Sequence, residues 1–214
     1  RENVVSSNVI THAGLRGMHV TAGAANNSIG SNTVSANRDG IVVDELAHDN
    51  SLSENRVGTG EDGSLSPGFG NADFGILILD SPDNLVSENT IRANRRGVSI
   101  GGQDALRNIV LGNLVTNQAL EGVLLFDGAS RNTIGFSDVE DEINTIHSNG
   151  QGVRLEAAHD NFVRFNWIGT DGTLAVDIGN TGEGVAIVGG QRNEVHHNII
   201  LGNGAGISIA GALA

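Results

Sequence analysis

The sequence predicts an all-β solenoid, and three regularities predict it. Asparagine recurs in fixed columns, and an aliphatic residue stands two positions after the first two asparagines of each unit. A glycine with aliphatic residues at its first and third following positions closes the unit. Apolar residues spaced two apart indicate strands rather than helices. Each strand offers only one or two inward residues, so a single unit cannot bury a core, whereas stacked units can.

The repeat is clearest in residues 84–100, NLVSENTIRANRRGVSI, and in residues 193–209, NEVHHNIILGNGAGISI. Both fit N-x-Φ-x-x-N-x-Φ-x-x-N-x-x-G-Φ-x-Φ, where Φ is aliphatic. The shortest period, from Gly75 to Gly97, is 22 residues. That length accommodates three short strands and three corners in one triangular coil at about 3.3 Å per residue. We therefore expect residues 1–214 to form one domain, a parallel β-helix of about eight coils.

The asparagines are predicted to stack as ladders at the corners of the coils. Asn adopts left-handed backbone conformations readily and can bond its own turn. Its amide can also donate to one neighbouring coil while it accepts from the other. This pattern predicts a structural role and not a catalytic one. The predicted columns are Asn3, Asn27, Asn50, Asn84, Asn108, Asn132, Asn161 and Asn193; Asn8, Asn32, Asn55, Asn89, Asn113, Asn144, Asn166 and Asn198; and Asn37, Asn71, Asn94, Asn117, Asn149, Asn180 and Asn203.

The composition excludes several classes of function. All 12 basic residues are arginine, against 25 acidic residues, and the formal net charge is −13. We expect no nucleic-acid partner, because phosphates are bound by clustered cations. No apolar run approaches the length of a membrane span, so no membrane span is expected. The absence of cysteine excludes disulfides and thiolate metal sites.

Through these repeats the whole chain resembles the right-handed parallel β-helix repeat proteins of the pectate-lyase-like superfamily. The strings NRVGT at residues 55–59 and NWIGT at residues 166–170, each followed by a Gly/Asp loop, resemble an insertion of large bacterial or archaeal extracellular proteins. The resemblance implies a right-handed coil and an extracellular or cell-envelope location. The superfamily contains polysaccharide lyases, hydrolases and epimerases, and also adhesins and inactive modules, so the resemblance predicts fold rather than function.

Neither end of the sequence shows the amphipathic helix that covers the open coil of many solenoids. We therefore expect either a segment of a longer protein or a subunit whose ends are covered by neighbours. End-to-end self-association is a variant of the second interpretation.

Three insertions interrupt the repeat, at residues 58–70, 135–143 and 169–179, and insertions commonly carry the function of a solenoid. The first and third insertions follow the equivalent strand in the third and seventh coils. They are therefore predicted to leave the same edge of the solenoid, where they could form the walls of a groove. Their Asp-Gly pairs also suit ordinary turns. The second insertion could supply oxygen ligands to Ca²⁺, or it is a solvated acidic loop. Its four carboxylates are Asp138, Glu140, Asp141 and Glu142.

Two outward columns are also informative. The residue before the first asparagine of each unit places opposite charges side by side, and we expect Asp83 to pair with Arg107 and Arg131 with Asp160. The middle outward position after the repeated glycine is apolar in several coils, which favours packing against a loop or a partner. These apolar residues are Val42, Leu77 and Leu124.

The strongest polar constellation is predicted in the sixth to eighth coils. Trp167 is expected to face outward beside Ile199, which suits stacking on a sugar ring, although an exposed tryptophan also commonly packs on a loop. The candidate binding residues are Phe165, Trp167, His196 and His197. The two arginines that could serve as a catalytic base are Arg154 and Arg164.

The catalytic strings of the superfamily are missing. Lyases of this superfamily use Lys, Arg or Tyr as a base, and this chain has no Lys and no Tyr. The chain also lacks the Asp-Asp and Gly-His-Gly strings of the superfamily's glycosidases and the Asp-Pro-His-Asp string of its epimerases. We expect a noncatalytic extracellular module, either a rigid scaffold or a surface that binds a polysaccharide or a protein. A fragment of a polysaccharide lyase, epimerase or hydrolase is one alternative, and a self-assembling filament or surface-layer subunit is another.

Overall fold

A computed structural model describes residues 1–66, 68–173 and 177–211. Pro67 in the first predicted insertion, residues 174–176 in the third, and residues 212–214 of the predicted domain lie outside the described residues. The described chain forms 24 short strands in three parallel sheets of eight strands each. Every third strand belongs to the same sheet, so the chain completes eight coils of three strands. The predicted parallel β-helix is confirmed.

The three sheets are the three faces of the solenoid. The first sheet contains β1 Val4–Ser6, β4 Ser28–Gly30, β7 Ser51–Ser53, β10 Leu85–Ser87, β13 Ile109–Leu111, β16 Thr133–Ile134, β19 Phe162–Arg164 and β22 Glu194–His196. The second sheet contains β2 Val9–Thr11, β5 Thr33–Ser35, β8 Arg56–Val57, β11 Thr90–Arg92, β14 Leu114–Thr116, β17 Asn144–His147, β20 Asn166–Ile168 and β23 Ile199–Ile200. The third sheet contains β3 Arg16–Val20, β6 Asp39–Val43, β9 Phe74–Leu79, β12 Arg96–Gly101, β15 Glu121–Phe126, β18 Gln151–Glu156, β21 Glu183–Val188 and β24 Ala205–Ala210.

The core consists of aliphatic side chains stacked in register from coil to coil. In the third sheet Ile76 pairs with Val98, Val98 with Val123, Val123 with Val153 and Val153 with Val185, and all five are fully buried. Alternation within each strand sends one side chain inward and the next outward. The parallel register then places like residues above one another, which explains why the glycine-linked aliphatic pairs recur.

The first two asparagine ladders run through all eight coils as predicted. Asn55 is representative: its backbone N–H and its side-chain Nδ2 both donate to Oδ1 of Asn89 in the next coil, at 2.9 and 3.0 Å. The same Nδ2 donates back to the carbonyl of Ile29 at 2.9 Å. Each carboxamide therefore joins three coils at a buried corner, and buried polar groups must be paired in this way.

The third ladder contains Gln118 in place of the predicted Asn117. Ladder residues of the second and third columns lie five positions apart, as in Asn89 and Asn94, and five positions after Asn113 stands Gln118. Its Oε1 accepts from the backbone N–H of Asn94 at 2.9 Å, and its own N–H donates to Asn149 at 3.0 Å. The prediction for Asn117 was wrong, because the corner geometry fixes the position and either carboxamide can fill it.

The left-handed backbone conformation falls on the residue before a ladder asparagine. Asp83, Glu88 and Ala93 have φ values of 59°, 57° and 59°, and each precedes a ladder residue. Asn117, with φ 62°, occupies the same corner position before Gln118. The expectation that ladder asparagines themselves adopt this conformation was wrong: their side chains serve the ladder, and their neighbours make the bend.

Only one of the two expected charge pairs forms. Arg107 donates to Asp83 through Nε at 2.7 Å and Nη2 at 2.6 Å. Asp160, however, pairs with Arg192 on its other side, and the hydrogen bond from that guanidinium lowers the pKa of the Asp160 carboxyl. The predicted pair of Arg131 with Asp160 was wrong.

Among the described residues no helix is both long and apolar enough to cross a membrane.

Candidate functional site

The first and third insertions leave the same edge of the second sheet, as predicted. They follow β8 and β20, which are four places apart in that sheet. The third insertion returns over Trp167, because a Cβ atom on Gly172 would lie only 2.5 Å from the indole ring. Trp167 therefore packs against the loop of the third insertion.

Three of the predicted binding residues form one aromatic cluster at the corner between the first and second sheets. The ring of Phe165 stacks on that of His197, with centroids 5.1 Å apart and an interplanar angle of 17°. His196 meets His197 edge-on at 4.9 Å, and the Nδ1 atoms of the two histidines lie 2.7 Å apart. Phe165 and His197 occupy equivalent positions in consecutive coils, each just before a ladder asparagine, with φ values of 54° and 56°.

This aromatic cluster borders a small cavity that we call the corner pocket. The corner pocket has a volume of about 130 Å³. Two groups that the sequence analysis treated separately meet here, since the aromatic residues come from the coils and Asp138 comes from the second insertion. The lining residues are Asp138, Ile143, Phe165, Asn166, Trp167, His197 and Ile199.

Arg164 lies beside the corner pocket on the outward face of the first sheet, next to His196. Its guanidinium carbon is 5.5 Å from the ring centroid of Phe136 and 5.7 Å from that of Phe162. A guanidinium between two rings gains cation–π attraction. Its Nε is buried and has no hydrogen-bond partner among the described residues.

Arg154 does not join this constellation. It lies on β18 in the third sheet, on another face of the solenoid, and its Nε donates to Glu156 at 3.0 Å. The structure thus brings Phe165, Trp167, His196 and His197 together near Arg164, and leaves Arg154 apart.

The acidic residues of the second insertion do not converge. Glu140–Glu142 form a short 3₁₀ turn, and Glu142 accepts a hydrogen bond from the Ser137 hydroxyl at 2.5 Å. Within residues 1–66, 68–173 and 177–211, no three His, Asp or Glu side chains gather as a metal site. The calcium site at this insertion stays a prediction to which the geometry adds no ligand set.

A larger feature, which the sequence analysis missed, lies on the outward face of the third sheet. Two cavities of about 570 and 290 Å³ share Phe74 and together extend from the first coil to the sixth. We call them the third-sheet groove. The first cavity is lined by Ala13, Leu15, Arg16, His19, Arg38, Asp39, Phe74 and Leu77. The second is lined by Phe74, Arg96, Leu124, Phe126, Asp127 and Glu156.

The floor of the third-sheet groove is apolar and aromatic. Leu77 and Leu124, predicted to pack against a loop or partner, line it. Phe74 stands at the start of β9 and Phe126 at the end of β15, so they enclose the second cavity from opposite ends of the strands. Period-two alternation extended to the fourth position after the glycine would have found Phe126, which is two residues after the outward Leu124, but not Phe74, which is two residues before the buried Ile76.

Several charged side chains along this groove are paired. Arg96 bonds Asp73 at 2.9 Å and Glu121 at 3.1 Å, and its guanidinium lies 5.5 Å from the ring centroid of Phe74. His19 bonds Asp44 at 2.8 Å. Arg38, by contrast, is exposed at the first cavity, and the buried Oδ1 of Asp39 has no hydrogen-bond partner among the described residues.

The three parallel sheets define a parallel β-helix repeat protein. The chain belongs to the right-handed β-helix family: residues 1–139 match the family described as "right handed beta helix region". This confirms the resemblance inferred from the repeats.

Among solved structures the chain is similar to the A-module of the mannuronan C-5 epimerase AlgE4 from Azotobacter vinelandii. The two are 17% identical, with a TM-score of 0.40, over 98% of this chain and 77% of that one. No curated protein matches the chain at a significant level.

Proposed function

We propose that this chain is a noncatalytic β-helix module that binds an uncharged polysaccharide strand along the third-sheet groove. The observation that carries the proposal is the pair of adjoining cavities of the third-sheet groove, which share Phe74 and have an apolar floor and charged side chains at their sides. A polysaccharide partner implies an extracellular or cell-envelope location, which is part of the same proposal.

The shape and chemistry of the groove suit a sugar chain. Sugars present apolar C–H faces that pack on rings such as Phe74 and Phe126, while their hydroxyls bond polar side chains at the edges. The groove crosses six coils, and five spacings of about 4.8 Å give a length of roughly 24 Å, enough for several sugar units. A parallel solenoid keeps this surface rigid, so little ordering cost is paid on binding.

The electrostatics favour an uncharged ligand. The chain has a formal net charge of −13, which repels polyanions over the distance that salt leaves unscreened. Arg16, Arg96 and Arg154 each already contact a carboxylate, whereas Arg38, which also lines the groove, is exposed. A uronate polymer that approached the first three arginines would have to displace their partners.

The same pairing supports a role without catalysis. A general base or acid needs a free group within reach of the substrate proton. Arg154, one of the two arginines considered as a base, donates to Glu156. Arg164, the other, lies on a different sheet.

Calorimetric titration with cellohexaose, mannohexaose and xylohexaose tests the proposal, with a hexamer of mannuronate as the charged counterpart. We expect one neutral hexamer to bind and the uronate to bind at least about tenfold more weakly. Phe74→Ala and Phe126→Ala should each weaken binding by about tenfold through the loss of a stacking ring. Phe69→Ala, on the first insertion, is the matched control and should bind like the wild type. Equal affinity in all three variants, or preference for the uronate, would refute the proposal.

A further inference from the structure

The corner pocket is separate from the third-sheet groove, since it opens where the first and second sheets meet. Its walls are mostly apolar: Phe165, Trp167, Ile143 and Ile199. Ile199 is 44% exposed, so the pocket is open to solvent on the side of the eighth coil. An exposed cavity with aromatic walls and few polar groups is the usual form of a small-molecule site.

The backbone at this corner is unusual for the residues that occupy it. The corner before the second asparagine column holds Ser31, Glu54 and Glu88 in earlier coils, and these adopt the same left-handed conformation. Bulky aromatic residues rarely adopt it. Phe165 does so in the seventh coil, and the exposed ring of His197 follows in the eighth. Apart from Ile143, the earlier members of this column are small or polar, so two stacked rings point to a use for the rings themselves.

The polar groups of the corner pocket come from two elements, the second insertion and the corner of the eighth coil. Asp138 brings a carboxylate, which accepts hydrogen bonds, and His197 adds a ring nitrogen. Phe136 of the same insertion packs on Arg164, which holds the insertion against the solenoid. A ligand that fits this arrangement has one apolar face, one hydroxylated edge and no negative charge near Asp138.

We propose that the corner pocket binds a single neutral hexopyranose ring, such as a chain end or a branch of a glycan. Its C–H face packs on Trp167 and Phe165, and its hydroxyls donate to Asp138 and bond His197. Its volume of about 130 Å³ is smaller than that of either cavity of the third-sheet groove, so we expect it to hold one ring rather than a chain. This inference is independent of the function proposed for that groove.

Trp167 reports the occupancy of the pocket directly, because it is the only tryptophan and the chain has no tyrosine. The test is a fluorescence titration with methyl β-glucopyranoside, methyl α-mannopyranoside and methyl β-galactopyranoside. At least one of the three should give a saturable change in intensity and a shift of the emission to shorter wavelength, as the sugar displaces water from the indole. Methyl glucuronide should bind at least about tenfold more weakly, because its carboxylate meets Asp138.

Two variants make the test specific. Phe165→Gly removes the ring and suits the left-handed backbone, so the fold is retained and affinity should fall by about tenfold. Asp138→Asn keeps the size of the side chain and should remove most of the discrimination against the glucuronide. Phe69→Ala, on the first insertion and outside both sites, is the matched control and should titrate like the wild type.

The proposal is overturned if none of the three glycosides gives a saturable response, or if Phe165→Gly responds like the wild type while its urea unfolding midpoint shows that it is folded. Failure here is distinct from failure at the third-sheet groove. The corner pocket responds to single rings through Trp167 and depends on Phe165, whereas the groove requires a chain and depends on Phe74 and Phe126.

Discussion

The side-chain Nδ2 of Asn89 donates to Oδ1 of Asn113 in the next coil at 2.9 Å, and the backbone N–H of Asn89 donates to the same oxygen at 2.9 Å. Asn89 in turn accepts two hydrogen bonds from Asn55 in the coil before. A single buried carboxamide thus satisfies the backbone of the preceding coil and is held by the following one. The ladders take the place of side-chain cross-links in a chain without cysteine.

Asn89→Leu should therefore lower the free energy of unfolding by about 3 kcal/mol, since it leaves buried donors and acceptors unpaired in two coils. The measurement is urea unfolding followed by circular dichroism. Asn26→Gly is the control, because Asn26 is exposed, lies outside the ladders and adopts a left-handed backbone that glycine tolerates. Equal unfolding midpoints for the two variants would contradict the ladder account.

Two glycines of the repeat column should respond differently to the same substitution. A Cβ atom on Gly97 would lie 2.3 Å from the carbonyl oxygen of Gly122 and 2.7 Å from the side chain of Val115, whereas a Cβ on Gly206 meets nothing within 4 Å. Gly97→Ala should cost about 1–3 kcal/mol through overpacking. Gly206→Ala should leave the urea midpoint close to that of the wild type, and a comparable loss in both variants would argue against the close approach at Gly97.

Ser99 is a position where a substitution should stabilise the protein. Its side chain is fully buried, between Leu77 and Leu124 in the outward column of the third sheet, and its hydroxyl has no partner among the described residues. Ser99→Ala removes an unpaired buried group and should raise the free energy of unfolding by about 1 kcal/mol. A clear loss of stability in thermal unfolding would show that the hydroxyl is bonded after all.

Asp39 should make stability depend on pH. Burial raises the pKa of its carboxyl above 3.8, against the opposing effects of Arg38 and of a hydrogen bond from the backbone of Phe74. Because the pKa of this carboxyl is higher in the folded protein than in the unfolded chain, its ionised form destabilises the fold. The free energy of unfolding of the wild type therefore increases as the pH falls from above the raised pKa towards 3.8. Asp73 adds to the rise and Arg16 opposes it.

The expected result is that Asp39→Asn stabilises the protein at pH 7 and that its advantage shrinks in acid. Urea unfolding of wild type and variant at a series of pH values measures the difference. If the stability advantage of Asp39→Asn over the wild type grew as the pH fell, the pKa of Asp39 would be lowered on folding rather than raised. Burial would then be excluded as the dominant effect on this carboxyl.

The fold followed from the sequence because its determinants repeat. Asn89 and Ile91 stand at fixed offsets in every unit, so stacking could be inferred without any single strand being strongly predicted. The ladder role of Gln118 was not predicted, because the column was defined by asparagine and glutamine supplies the same carboxamide as a different residue type. The partner of Asp160 could not be chosen because Arg131 and Arg192 flank it in the stack, and only side-chain geometry distinguishes them.

The sites were harder to predict because they depend on side chains from non-repeating positions. Trp167 and Phe165 were identified from their outward placement, but their meeting with Asp138 depends on the path of the second insertion. The third-sheet groove was missed because Phe74 and Phe126 lie just outside the repeat motif and at opposite ends of their strands. Arg154 was grouped with Arg164 because the two lie in consecutive coils, although they belong to different sheets.

The proposed function requires that the module holds a neutral polysaccharide without changing it chemically. The most direct test is mass spectrometry of the saccharide that binds in calorimetry, recovered after prolonged incubation with the protein, together with ultraviolet absorbance of a parallel incubation with uronate polymer. We expect a bound hexamer of unchanged mass and no unsaturated product. Shortened chains, or an absorbing product that disappears in Arg154→Ala, would show instead that the chain is a polysaccharide-processing enzyme.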